Sequence, residues 1–320
     1  MRWFGVVGFV LGGVLAGCVE ENPALNPTNT VSASPVPEAA VAIVNESTVK
    51  VRWKPSPSEH LPAFKEYFLV LVEMGTQQIV RRIAVTERRS SYEQVLGGLK
   101  RGVLYGLDIW VRFKDNTLST VPRTLLFAPA VQFTDIAGEP IRLYEQGAPS
   151  ERPNGLNFNR AGLPALLTRS FAAEWDICFE IVDGKARIGS PRGSLFWWYP
   201  NPRRTLVGSN IVPDVVALDE VWVSAPLDTA AGRLDTVMLE VPERLPSGKG
   251  LAFFVLRSVD TTWAKVLIKP GPDGRLVQGT APERYVELAV SYQPEKAVPS
   301  ALPVRRYDVS GELIWQRFGR

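Results

Sequence analysis

The sequence predicts an all-β protein, and three observations carry the prediction. Short runs of alternating apolar and polar residues recur from Val41 onward, turn-forming residues separate them, and the three-to-four spacing of amphipathic helices is nearly absent. With 320 residues and 45% hydrophobic content, the chain has material for two real cores.

The chain opens with Arg2, an apolar stretch from Trp3 to about Ala16, and the run Leu15-Ala16-Gly17-Cys18. This stretch is too short and too glycine-rich to span a bilayer comfortably and reads as a secretory signal. It resembles a bacterial lipobox. The resemblance implies that residues 1–17 are removed and that Cys18 becomes an acylated first residue. Each buried methylene of its acyl chains would add roughly 0.8 kcal/mol to membrane attachment. Residues 18–36, rich in Pro, Asn, Ser, Thr and Glu, read as a flexible tether. Glu20 and Glu21 resemble the surface-export signals of Bacteroidetes lipoproteins, and no Asp follows Cys18. The expected location is the bacterial outer membrane, lipid-anchored and facing the cell surface.

The formal net charge of +3 is small, and the basic residues are scattered as pairs such as Arg81-Arg82 and Arg203-Arg204. No nucleic-acid footprint is visible. The chain has two cysteines, so acylation of Cys18 leaves Cys178 without an intrachain partner and cohesion must come from packing.

The first module is expected over residues 37–130. Val49, Val51 and Trp53 share one strand face and Lys50 and Arg52 the other. Pro55-Ser56-Pro57-Ser58 breaks that strand, and His60, the single histidine, reads as a solvated loop residue. Tyr67 to Val72 forms the next apolar run. Leu107, Ile109, Val111 and Phe113 then alternate with Asp108, Trp110 and Arg112, which puts Trp110 on the outward face beneath a neighbouring Arg or Lys stem. Trp53, Tyr67, Leu99 before a turn, and Tyr105 opening the following strand together resemble a fibronectin type III domain. That family implies a seven-stranded sandwich that spaces or binds, with Tyr105 as the tyrosine corner.

The second module is expected over residues 131–299. In Trp175 to Ile181, the pleat places Trp175, Ile177, Phe179 and Ile181 on one side and Asp176, Cys178 and Glu180 on the other. Val182-Asp183-Gly184-Lys185 reads as a hairpin turn. Further strands are expected at 237–241, 251–257, 263–268 and 285–292. Three fragments, Glu174 to Phe179, Phe253 to Ser258 with Trp263 to Val266, and Val286 to Gln293, resemble the HmuY-like haem-binding lipoproteins. That family implies a β-only fold capturing haem at the cell surface, held by imidazole or methionine ligands. This module has no histidine, and Met238 is its one methionine. Met238 lies opposite Val237 and Leu239 in pleat, so it faces either a groove or a core gap. Tyr199, Tyr285 and Cys178 are other conceivable iron ligands, and none is singled out.

Phe196-Trp197-Trp198-Tyr199 forms a run of four aromatics. Consecutive strand residues face both ways, so at least one of Trp197 and Trp198 should meet solvent or a ligand, with Arg203 and Arg204 close in sequence to supply hydrogen bonds. The alternative is that the segment inserts between sheets or contacts the first module. Residues 300–320 read as a connector and terminal hairpin.

Nucleophilic triads and histidine metal centres need imidazoles that one histidine cannot supply. There is no G-x-S-x-G elbow, P-loop or C-x-x-C pair. Asp176 and Glu180 lie roughly 13 Å apart along an extended strand, beyond the reach of a glycosidase pair. A non-enzymatic ligand-capture protein is therefore expected, with haem or another tetrapyrrole implied by resemblance and Met238, Trp197, Trp198 and Tyr199 as binding candidates. The alternative is a structural or adhesive envelope protein contacting a glycan or partner protein. A deep apolar cleft near Met238 or the 196–199 aromatics would favour capture, and a filled core beneath a flat aromatic surface would favour adhesion.

Overall fold

A computed structural model describes residues 33–197, 205–208, 211–222, 234–294 and 302–303. Cys18, Trp198, Tyr199, Arg203, Arg204 and the expected terminal hairpin lie outside the described residues. From Ala33 onward the chain groups as one compact unit, and its fold is all-β.

The first sandwich has two antiparallel sheets. Strands β1 (Ala39–Asn45), β2 (Thr48–Trp53) and β5 (Tyr92–Leu96) form one, in the order β1-β2-β5. Strands β3 (Phe64–Glu73), β4 (Gln78–Val85), β6 (Tyr105–Phe113) and β7 (Arg123–Phe127) form the other, in the order β7-β6-β3-β4. Alternation decides the core, because Val49, Val51 and Trp53 turn inward to meet Tyr67, Leu69, Leu107, Ile109 and Val111. Trp53 stacks on Tyr92 with ring centroids 5.0 Å apart, and Tyr67 meets both rings edge-on. The Tyr105 hydroxyl accepts a hydrogen bond from Lys100 N at 3.0 Å, which is tyrosine-corner geometry. Trp110 is half-buried, in register with Phe68, whose ring lies under the Arg112 guanidinium.

Two features of this sandwich differ from the expectation. Ala33 and Val36 are buried in its core, so ordered packing begins before residue 37. His60 is exposed but ends a one-turn 3-10 helix, Pro57–His60, capped by the Ser56 hydroxyl, rather than sitting in an irregular loop. Strand β4 is silent in the sequence because it is an edge strand, with only Ile83 and Val85 half-buried and no buried face to impose alternation.

Just three residues separate β7 from β8 (Val131–Phe133), which enters a second sandwich. Its smaller sheet comprises β11 (Gly155–Arg160), β12 (Leu163–Leu167), β13 (Ile177–Val182), β14 (Lys185–Gly189) and β17 (Met238–Glu240), ordered β12-β11-β13-β14-β17. In the larger sheet β18 (Gly250–Arg257), β19 (Thr262–Lys269) and β20 (Tyr285–Gln293) are central. Strands β15 (Thr205–Val207) and β16 (Val212–Val215) share the outer edge of β18. Strands β8 and β10 (Glu139–Tyr144) share that of β20, with β9 (Asp135–Ile136) beyond β10. Between the sheets, Leu156, Phe158, Ile177, Phe179 and Ile188 pack on Leu251, Phe253, Val255, Val266 and Leu288. The expected hairpin joins β13 to β14, with Asp183 and Gly184 at φ of 50° and 78°. A two-residue strand, β21 (Leu302–Pro303), returns to pair with β7 of the first sandwich.

The 175–181 segment departs from strict alternation. Ile177, Phe179 and Ile181 enter the central core as expected, but Trp175 joins Cys178 on the opposite face, and Asp176 turns toward Arg257. Ladder pairing begins only at Ile177, after a 3-10 segment, Arg169–Glu174, so the pleat does not govern the two residues before it. Gly155 lets the indole in, since a Cβ there would lie 2.2 Å from the Trp175 ring.

Candidate interaction surface

On the outer face of the smaller sheet, Leu167, Ala172, Trp175, Cys178 and Phe196 build a second, small core. Trp175 and Phe196 meet edge-to-face with centroids 5.1 Å apart. Met238 packs against this cluster and is half-buried. Burial pushes the Cys178 thiol well above its ordinary range, which keeps it protonated and a poor metal ligand or nucleophile.

The 191–197 turn lies over this core and is pinned by specific bonds. Leu195 N donates to Glu180 Oε2 at 2.8 Å, Phe196 N donates to Ser194 Oγ at 3.0 Å, and Ser194 Oγ donates to Pro191 O at 2.7 Å. Gly193 permits the approach, because a Cβ would lie 2.0 Å from Thr236 O. With Phe196 fixed inward, its neighbours point out: Trp197 is 66% exposed and Leu195 45%.

The Arg169–Glu174 segment covers the same small core through Ala172 and leaves Phe171 43% exposed. The Arg160 guanidinium sits 4.8 Å from the Phe171 ring centre, and Arg169 lies 5.7 Å from that of Phe196. Two elements braced on one core therefore present apolar and aromatic side chains with arginines beside them. Such a surface can stack on a sugar ring or dock an apolar protein patch, while arginine supplies directional hydrogen bonds.

The carboxylates weighed for acid–base chemistry are both committed to structural partners. Glu180 pairs with Arg187 and accepts from Leu195 N. Asp176 lies 3.0 Å from Arg257 Nε and accepts from Phe158 N at 2.8 Å. Among the described residues, no group of three or more His, Cys, Asp or Glu side chains could hold a metal ion. No described helix is long and apolar enough to cross a membrane.

The sequence expects at least one of Trp197 and Trp198 to meet solvent or a ligand, and Trp197 is exposed. The exposure of Phe171 and Leu195 was not legible there, because it depends on how a 3-10 segment and a turn sit on a core assembled from distant strands.

No protein-family model matches the chain, and no curated protein matches it. Solved structures similar to it include fibronectin type III domains. The fn3 domain of human collagen alpha-1(XX) is 17% identical, with 35% of this chain and 99% of that one covered at a TM-score of 0.28. The FN5 domain of Drosophila Lar is 13% identical, with 30% and 97% covered at a TM-score of 0.23.

Proposed function

We propose that this chain is a non-enzymatic envelope protein, acylated at Cys18, that displays an adhesive surface centred on Trp197 to a glycan or partner protein. The exposed indole of Trp197 above a filled small core carries the reading, because a pinned turn presents it together with Leu195 on the surface, and exposed apolar patches mark interaction sites. The three-residue, buried link between the sandwiches supports a spacer that holds this surface at a defined distance. Met238 favours this reading over capture of a tetrapyrrole, since it packs half-buried against the small core. The outer-membrane location rests on the lipobox resemblance at Leu15 to Cys18 and on Glu20 and Glu21.

The test is retention of the intact protein on immobilised envelope glycans and on whole cells. Trp197→Ala should lower retention at least tenfold while leaving the melting temperature unchanged; full retention by a Trp197→Ala, Leu195→Ala double variant would overturn the reading. A saturable Soret shift on haem addition that disappears in Met238→Ala would restore the capture function instead.

A further inference from the structure

The junction between the sandwiches contains a buried amine that neither packing nor the adhesive surface requires. The segment 212–222 runs from β16 through the turn Leu218–Glu220 and lies between β1 on one side and β19 and β20 on the other. Toward the second sandwich, Val215, Leu218 and Val221 bury themselves against Ala252, Phe254, Leu267 and Ala289. Toward the first, Lys50 Nζ reaches Asp219 Oδ2 at 2.8 Å, and the Arg52 guanidinium lies 4.5 Å from the Trp222 ring centre. This strap is the clasp between the two bodies.

Beneath it lies Lys265, only 1% exposed. Its Nζ donates one long bond, 3.4 Å to Leu218 O in the strap itself. Across the ladder its register partners are Phe254 on β18 and Ser291 on β20. Ser291 is fully buried and its Oγ has no hydrogen-bond partner. The polar or charged groups around the amine can be named by element. The strap contributes Asp219, committed to Lys50 of β2, and Glu220, which accepts from Val216 N. β20 contributes Ser291, β18 contributes none beside Phe254, and farther along the same face Lys269 pairs with Glu287.

We propose that Lys265 makes this strap a proton-sensitive latch: closed while the amine is neutral, and released as the amine takes up a proton and seeks water. The geometry supplies the two states, since a buried ammonium with one long bond is poorly solvated when the strap is closed and fully hydrated when it opens. Burial lowers the amine from the ordinary lysine value of 10.5 to about 7, against an opposing pull from Asp219. Between those values the open form binds a proton that the closed form does not. Opening therefore rises about tenfold per pH unit as pH falls from about 10.5 to about 7, and levels off below.

The test is amide hydrogen exchange of the full chain at pH 7 and pH 9, corrected for intrinsic exchange rates. Strap amides 212–222 should be about 50-fold less protected at pH 7 than at pH 9, with β13 amides unchanged, and Lys265→Met should remove the difference. Equal strap protection at both pH values in the wild type, or an equal change in β13, would overturn the latch. If Lys265→Met does not fold, Asp219→Asn serves: it should loosen the strap at both pH values while keeping the slope, and a lost slope would also overturn the proposal.

Discussion

Arg257 Nε lies 3.0 Å from Asp176 Oδ2, with the two side chains 4% and 0% exposed. Arg257 Nη1 also donates to Asp260 at 2.6 Å and to the Tyr292 hydroxyl at 3.0 Å, so one guanidinium ties β18, β20 and the entry to β13 together at the end of the core. Burial opposes the charged guanidinium, and Asp176, Tyr292 and Asp260 outweigh it and keep it ionised. Asp176, Arg257 and Tyr292, far apart in sequence, meet at this network.

Removing one partner of this pair leaves an uncompensated buried charge. Asp176→Ala should destabilise the chain by about 3–5 kcal/mol, read from the urea midpoint, whereas an Asp176→Ala, Arg257→Met double variant should recover part of that loss.

Two tyrosine hydroxyls in the first core, Tyr67 and Tyr92, both donate to Glu59. Glu59→Ala strands both buried donors at about 1–3 kcal/mol each, measurable by urea unfolding.

The same cluster sets an alkaline limit. Burial raises the Tyr92 hydroxyl from its ordinary 10.0 to about 12, and Tyr67 is pushed higher still. The folded chain keeps protons there that the unfolded chain releases, so stability should fall as pH rises from about 10 to about 12. Unfolding midpoints across that range, with Tyr92→Phe flattening the profile, check the sign.

Gly155→Ala would place a methyl 2.2 Å from the Trp175 ring. The indole must shift, which should cost about 1–3 kcal/mol and alter the near-ultraviolet dichroism of the Trp175–Phe196 pair.

Tyr105→Phe keeps the ring packed against Phe127 and removes the acceptor for Lys100 N. A loss of about 1 kcal/mol in thermal unfolding is expected, with no change in retention on glycans.

What the sequence determined by itself was the strand content and the inward face of each well-buried strand. In Val49 to Trp53 and Leu107 to Phe113, burial on one side forces a period of two that any reader of the chain can see. The hairpin at Asp183-Gly184 and the Tyr105 corner were legible for the same reason, since each depends on residues close in sequence. Only the tertiary structure decided the rest. Trp175 changed sides because a glycine on another strand left it room, and Met238 came to pack against the small core that holds Trp175 and Phe196. Lys265, which the pleat alone would expose, was buried because a strap some 45 residues earlier in the chain folded over it. Such placements depend on contacts between residues far apart in sequence, and no local pattern records which distant surface will arrive.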